Sequence, residues 1–479
     1  MNNFGFFVSL LAVLLGCQDS TPLMESGDLG LADLQPELVE FKFTSMPPKV
    51  AYSGRSYRYE TEVVGLELPQ LSLSLSVSPE GMVVDEAGFV AWTPTEDDLG
   101  EHPITLVAKG QARQTEQSWI LLVELPPIPP NAKLVDLNRP YRGNTVISDL
   151  VIYDDQIWMI ASDDPLGRNT DGTRIYSYDP ETQDFERRFD ARDSEGGFVR
   201  GRVIDNKLYV PDADVPGPVQ TPGRIFVFDT PSAPPRQTEV PQAVHTFDVA
   251  KIDGHLYAST SLGPDFDPAL RSGLHRYDPA KESWELVSDG PYGRLKWLAV
   301  FGGRLIAVFN HPKGTRFAEE LVQMDPAFGM AQEPLDFVKQ SDTVQVLSLE
   351  KVADSLYVSA VDMGKGGFVH GRFVNGDLSV FQELEGIGRA VLLDYAKHSD
   401  GLIYAVGARK FNGTLNSLVM ASNDGLHFKV AWTHPDPALV PPVLLPGGGN
   451  ADARPSIVSF GDKIFCGSVS NRKLYRLDW

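Results

Sequence analysis

Five stretches of the chain gather side chains able to bind a ligand: Asp163, Asp164, Arg168 and Asp171; Asp212 and Asp214; Asp265, Asp267 and Arg271; His311, Lys313 and Arg316; Asp362, Lys365 and His370. Carboxylates converging from several loops are hard oxygen ligands, suited to Ca²⁺ or to a polar ligand. None of the stretches has the D-x-D-x-D-G spacing of a calcium loop, and acidic loops also serve to keep a protein solvated. No cofactor is therefore expected, and Ca²⁺ is the one ion the pattern could take. A second set, Arg200, His245, Arg294, Trp297, Arg389 and Arg454, lies where apolar runs begin and could line a funnel. These six do not stand at one register relative to the turns that follow them.

Local catalytic devices are missing. The chain has no H-E-x-x-H, G-x-S-x-G, G-x-x-x-x-G-K-[ST], C-x-x-C or G-x-G-x-x-G that starts a helix, so metalloprotease, α/β-hydrolase, P-loop and dinucleotide chemistry lack their signatures. A carboxylate pair for glycoside hydrolysis could still be assembled from distant segments. With 42 basic and 64 acidic residues the net charge is -22, which repels nucleic-acid phosphate and disfavours such partners. Two cysteines, Cys17 and Cys466, cannot build a disulfide framework, and Cys466 reads as a buried free thiol in IFCGSV.

The elements that position these residues recur at intervals of about 50 residues, the spacing of propeller blades. A strand, a turn pair and a second strand repeat around Asp154-Asp155, Asp205-Asn206, Asp253-Gly254, Gly302-Gly303, Ala353-Asp354, Asp400-Gly401 and Gly461-Asp462. Most of these residue types tolerate the positive φ of tight hairpins. Third strands such as RIYSYDP and LHRYDP, and fourth strands such as DFERRF and SWELVS, complete each unit. Seven turn pairs predict seven blades. The last unit runs out after three strands, at Trp479, and the segment Ala132 to Leu137 is expected to supply its fourth and close the ring. Residues 131–479 are thus read as a seven-bladed β-propeller closed by its own N-terminal strand. The "YDP…W" runs resemble kelch repeats, without the Gly-Gly doublet of that family, and Ser422 to Phe428 (SNDGLHF) resembles one Asp-box turn of sialidase-type propellers.

Upstream, residues 41–125 alternate polar and apolar residues in short runs, YRYETEV, LSLSLSV, HPITLVA and SWILLVEL, the period of half-buried strands. The run from Pro79-Glu80-Gly81-Met82 to Trp92-Thr93-Pro94-Thr95 resembles the immunoglobulin-like, cadherin-like modules of bacterial surface proteins, which implies a β-sandwich used as spacer or adhesive stalk; Trp92 and Trp119, isolated aromatics in strands, read as core. Residues 126–130, with four prolines in five positions, form a stiff hinge. The fold class expected for the whole chain is all-β.

Residues 1–17 are read as an address. Phe4 to Leu15 is an apolar run too short for the roughly 20 residues that cross a bilayer, but sized for a signal-peptide core. It ends in Leu14-Leu15-Gly16-Cys17, which resembles the lipobox of bacterial lipoproteins. That resemblance implies acylation of Cys17, anchoring to a membrane by acyl chains and, with Gln18 following, the outer membrane. Residues 18–40, acidic and without a basic residue, suit a solvated tether. The expected function is a lipid-anchored envelope protein whose propeller binds or scaffolds a protein or glycan; the alternative is a carbohydrate-active enzyme of the glycosidase or lyase kind, with its site in the funnel. Cys17→Ser should abolish incorporation of a clickable fatty acid and move the protein from the membrane to the soluble fraction. Undiminished label in that variant would count against the anchor.

Overall fold

The computed structural model describes residues 41–65, 71–85, 87–124, 133–137, 146–162, 173–191, 197–213, 222–263, 271–290, 293–313, 316–324, 333–335, 344–362, 367–388, 390–411, 414–434, 455–468 and 473–478. Every regular element among them is a strand except one 3₁₀ turn, Glu96–Asp98. The chain is all-β, and most of its strands lie in four-stranded antiparallel sheets consistent with propeller blades.

The described residues of 41–124 form a two-stranded ribbon, Lys42–Phe43 with Val63–Val64, and two larger sheets with a shared core. One holds Val50–Tyr52, Ser72–Val77, Gly100–Lys109 and Gln114–Glu124; the other holds Tyr57–Glu60, Val83–Val84 and Phe89–Trp92. Alternate residues of these strands point inward, and Tyr57, Tyr59, Val90, Trp92, Ile104, Leu106, Trp119 and Leu121 are buried together. Trp119 meets Tyr59 edge-on at 5.7 Å, so the two tryptophans are core residues here. Arg55 joins this unit to the rest: its Nε donates to the Asp400 carbonyl at 2.9 Å.

From Lys133 onward the described residues form seven four-stranded sheets. Their first strands are Val146–Tyr153, Arg202–Ile204, His245–Ile252, Arg294–Phe301, Val344–Val352, Ala390–Lys397 and Ser456–Phe460. We number the sheets one to seven in that order. Each first strand touches the next, and that of sheet seven touches that of sheet one, so the contacts form a closed cycle. Second strands such as Gln156–Ser162 and Ser355–Asp362 are buried along nearly their whole length. They are packed on both faces, which is why they read as continuous apolar runs rather than as alternation.

Apolar packing follows the same cycle. Trp158, Ile160 and Ile175 of sheet one pack on Phe198, Leu208 and Phe226 of sheet two. Equivalent clusters join sheets two and three, three and four, four and five, and five and six. Tyr404, Val406 and Val419 meet Ile464 and Cys466 between sheets six and seven, and Phe465 and Leu474 meet Ile147 and Met159 between seven and one. Sheet seven is completed by Lys133–Asp136, which pairs antiparallel with Leu474–Asp478, Leu134 opposite Leu477.

The turn pairs behave as their residue types require. Asp154 and Asp155 have φ of 51° and 55°, Asp205 and Asn206 of 50° and 57°, and Gly302 and Gly303 of 57° and 70°. The sixth repeat departs from the expected pattern. Its first two strands are joined by a longer loop between Lys397 and Ile403, and Asp400 closes it by accepting the Leu402 amide at 2.8 Å. The proline hinge, the tether, Cys17 and most of the segment 435–455 lie outside the described residues.

A chain starting at residue 138 lacks the closing strand and leaves the edge of Leu474–Asp478 unpaired. Compared with a chain starting at residue 131, it should melt at lower temperature and scatter more light. Equal melting and equal dispersity would contradict the closing role.

Candidate functional site

The first strands present the same position to the ring axis. Five residues before the first member of each turn pair stand Asp149, Arg200, Asp248, Trp297, Ser348 and Ser456; in sheet six, whose loop is longer, the corresponding residue is Asp394. In sheets one, three, five and six the pairing register breaks just before this residue, between Ile147 and Asp149, Thr246 and Asp248, Val346 and Ser348, and Leu392 and Asp394. A bulge re-aims the side chain that follows it. Here it turns polar groups out of the ladder and toward the axis.

Three of the acids stitch neighbouring sheets together. Asp149 Oδ2 accepts the Gly201 amide of sheet two at 2.9 Å, Asp248 Oδ2 accepts the Leu298 amide of sheet four at 3.0 Å, and Asp394 Oδ2 accepts the Ile457 amide of sheet seven at 2.8 Å. Each bond satisfies a backbone donor that the ladder leaves without a partner. Ser456 completes the seam: its Oγ lies 3.1 Å from Asp149 Oδ1 and 2.8 Å from Asp394 Oδ2, and it accepts the Leu150 amide at 3.0 Å.

Two guanidinium groups cross the middle. Arg202 holds Asp248 bidentately, Nε to Oδ1 and Nη2 to Oδ2 both at 2.7 Å. Arg200, 4% exposed, reaches Asp248 at 3.2 Å, the Leu349 carbonyl at 3.4 Å and the Glu350 carboxylate on the far side of the ring. It also lies over the Trp297 ring, 5.4 Å from its centroid. Burial would raise the Asp248 carboxyl, but Arg202 and then Arg200 outweigh it and hold the group below the usual carboxylate range. Asp149 is pushed the other way, to about 6, because burial outweighs Arg200. Burial, with Glu350 and Asp149 as like charges nearby, pushes Asp394 up to about 8.

A cavity of about 390 Å³ opens on the turn side of this cluster, lined by Asp149, Arg200, Arg202, Glu350, Asp394 and Ser456 among others. Among the described residues no group of three or more His, Cys, Asp or Glu side chains is arranged to hold a metal ion.

The residues singled out in the sequence fall in different places. Arg200 and Trp297 belong to the axial position. His245 and Arg294 share a second register, three residues earlier; His245 Nδ1 bonds the Ala213 carbonyl at 2.6 Å, and its ring stacks on Phe247. Asp212 is fully buried and accepts Arg224 Nε at 2.6 Å, which makes it a packing element of sheet two rather than an open-loop ligand. His370 is also buried, between Ser359 Oγ and the Ala390 carbonyl, and burial lowers it to about 4. Asp163, Asp164, Asp214, Asp265, Asp267, Arg389 and Arg454 lie outside the described residues. Sequence reasoning missed Asp149, Asp248, Ser348, Asp394 and Ser456. The signal that finds all but Asp394 is their constant offset of five residues from the turn pairs; Asp394 stands six residues before Asp400.

No protein-family model and no curated protein matches the chain. Solved structures with a similar trace include a structural-genomics protein of unknown function from Bacteroides thetaiotaomicron VPI-5482, 9% identical with a TM-score of 0.45, over 91% of this chain and 97% of that one. The β-propeller domain of the Trilobed protease from Pyrococcus furiosus is 11% identical, TM-score 0.41, over 76% and 95%. The GH74 xyloglucanase from Xanthomonas campestris is 12% identical, TM-score 0.45, over 72% and 53%. Likeness of trace at such identities does not carry activity across.

Asp248→Ala would leave Arg202 without its bidentate carboxylate and the buried Arg200 with Glu350 alone, so it should cost about 3–5 kcal/mol in urea unfolding. Lys251→Ala, which removes only the exposed pair with Asp205, should cost less than about 1 kcal/mol. Equal effects would remove the axial cluster from the architecture.

Proposed function

We propose that the protein is a lipid-anchored binding or scaffold module of the bacterial cell envelope, probing a protein or glycan partner with the loops of a seven-bladed propeller. In this reading Cys17 carries the acyl chains, the acidic tether and an Ig-like sandwich act as spacer, and the outer membrane is the anchoring surface. The observation that carries it is the engagement of the axial acids. Every carboxyl oxygen of Asp149, Asp248 and Asp394 is already engaged in a hydrogen bond with a backbone amide, a hydroxyl or a guanidinium. Groups committed in this way suit a structural plug, and recognition then falls to the loops, where polar side chains are free to vary.

A second reading, a carbohydrate-active enzyme, is favoured by one feature. Asp149 and Asp394 are only half-buried, face the cavity and sit well above the ordinary carboxylate range. They are also close: their oxygens are separated by no more than the two bonds to Ser456, 3.1 and 2.8 Å, laid end to end. A closely spaced pair of carboxyls with raised pKa is the equipment of acid–base hydrolysis.

The chain lacking residues 1–17 should bind members of a glycan array or a surface-protein panel, and Asp394→Asn should leave that binding unchanged. Release of sugar from a polysaccharide panel, lost in Asp394→Asn, would replace the binding reading with the enzymatic one.

A further inference from the structure

The seam where sheets six, seven and one meet poses a counting problem. Ser456 Oγ has one proton and two lone pairs. One lone pair takes the Leu150 amide, and the proton goes to one carboxyl. The other carboxyl then faces the remaining lone pair at hydrogen-bond distance, since both Asp149 Oδ1 and Asp394 Oδ2 are within 3.1 Å. If both acids were ionised, two lone pairs would oppose each other at 3.1 Å or less. A proton on one acid turns that contact into a bond and satisfies all three groups.

We propose that the ring closes around a single proton held between Asp149 and Asp394 through the Ser456 hydroxyl, and that its loss loosens the joint between sheets six, seven and one.

The surrounding charges point the same way. Around the seam stand Asp149 from sheet one, Arg200 and Arg202 from sheet two, Asp248 from sheet three, Glu350 from sheet five and Asp394 from sheet six, with Lys397 at the cavity mouth. Sheet seven contributes the uncharged Ser456 and Ser459 to the lining. Arg202 is matched by Asp248 and Arg200 is shared between Asp248 and Glu350, so among the described residues neither Asp149 nor Asp394 has an ion pair, and Arg200 offsets the burial of Asp149 only in part. The upward shifts of both groups, to about 6 and about 8, agree with one proton being retained at neutral pH, and two such close acids titrate as a unit.

The sign of the linkage follows. An acid raised above its unfolded value of about 4 binds more protons folded than unfolded across the interval between the two values. Its stabilising contribution is complete below about pH 4 and is lost as pH rises through about 6 to 8.

The test uses the full chain in detergent. Asp149→Asn is the informative variant, because the amide nitrogen can donate permanently to Ser456 Oγ while the amide oxygen keeps the Gly201 bond. The wild-type melting temperature should fall by about 5 °C or more between pH 5 and pH 9, and the fall should be much smaller in Asp149→Asn. Infrared spectra at pH 7 should show a protonated carboxyl stretch in the wild type that Asp149→Asn removes. A pH dependence identical in both proteins, or a carboxyl stretch unchanged by the substitution, would overturn the proposal. A variant that fails to fold leaves the wild-type spectrum to decide: without a protonated carboxyl at pH 7 the seam holds no proton. None of these readouts depends on ligand binding, so they can fail or succeed apart from the binding reading.

Discussion

Seven sheets packed side by side must bring their first strands together around one axis, and those strands cannot pair with one another in a ladder. Their inward amides would be orphaned in a confined space, at a cost of about 1–3 kcal/mol each. An aspartate placed just after a bulge answers this constraint. Asp149, Asp248 and Asp394 each accept the amide of the following sheet, so the same residues that line the axis also fix the spacing of the ring. The apolar clusters between sheets supply the bulk of the burial, but they are non-directional. The carboxylate-to-amide bonds set register between neighbours that share no ladder.

Using acids for this purpose collects negative charge where it is least tolerated. Arg202 relieves part of it by holding Asp248 of the next sheet, and Arg200 by reaching across the ring as far as Glu350. What they leave uncompensated is concentrated at the seam beside Ser456. That seam lies next to the sheet assembled from both ends of the domain, where Lys133–Asp136 meets Leu474–Asp478. Electrostatic tension and topological closure therefore meet in one region of the ring, and the protonation of one carboxyl bears on both.

The two sides of the ring are built differently. On the turn side the hairpins are short, the axial cavity opens, and Arg55 brings the N-terminal sheets against the loop of sheet six through the Asp400 carbonyl. On the other side the second and third strands of sheet four pair as far as Lys313 with Arg316, and those of sheet six as far as Phe411 with Thr414.

Much of this was written into local pattern. The turn pairs, with Asp, Asn and Gly at most of the positions where φ is positive, announce every hairpin but the sixth, and their recurrence sets the number of repeats, because turn chemistry is decided within a few residues. The unpaired third strand of the last repeat, and the short run after the prolines that could complete it, are equally a matter of local composition. The site was less legible. Arg200 and Trp297 could be picked out as polar or aromatic residues in apolar runs, but Asp212 reads the same way and is buried against Arg224. Asp149, Asp248 and Asp394 look like ordinary polar interruptions of a strand until the bulges are seen, and a bulge is a property of two paired strands rather than of one. Which acid meets a cation, which meets an amide and which must keep a proton depends on residues as distant as Asp149 and Ser456. Only closing the ring brings those into contact.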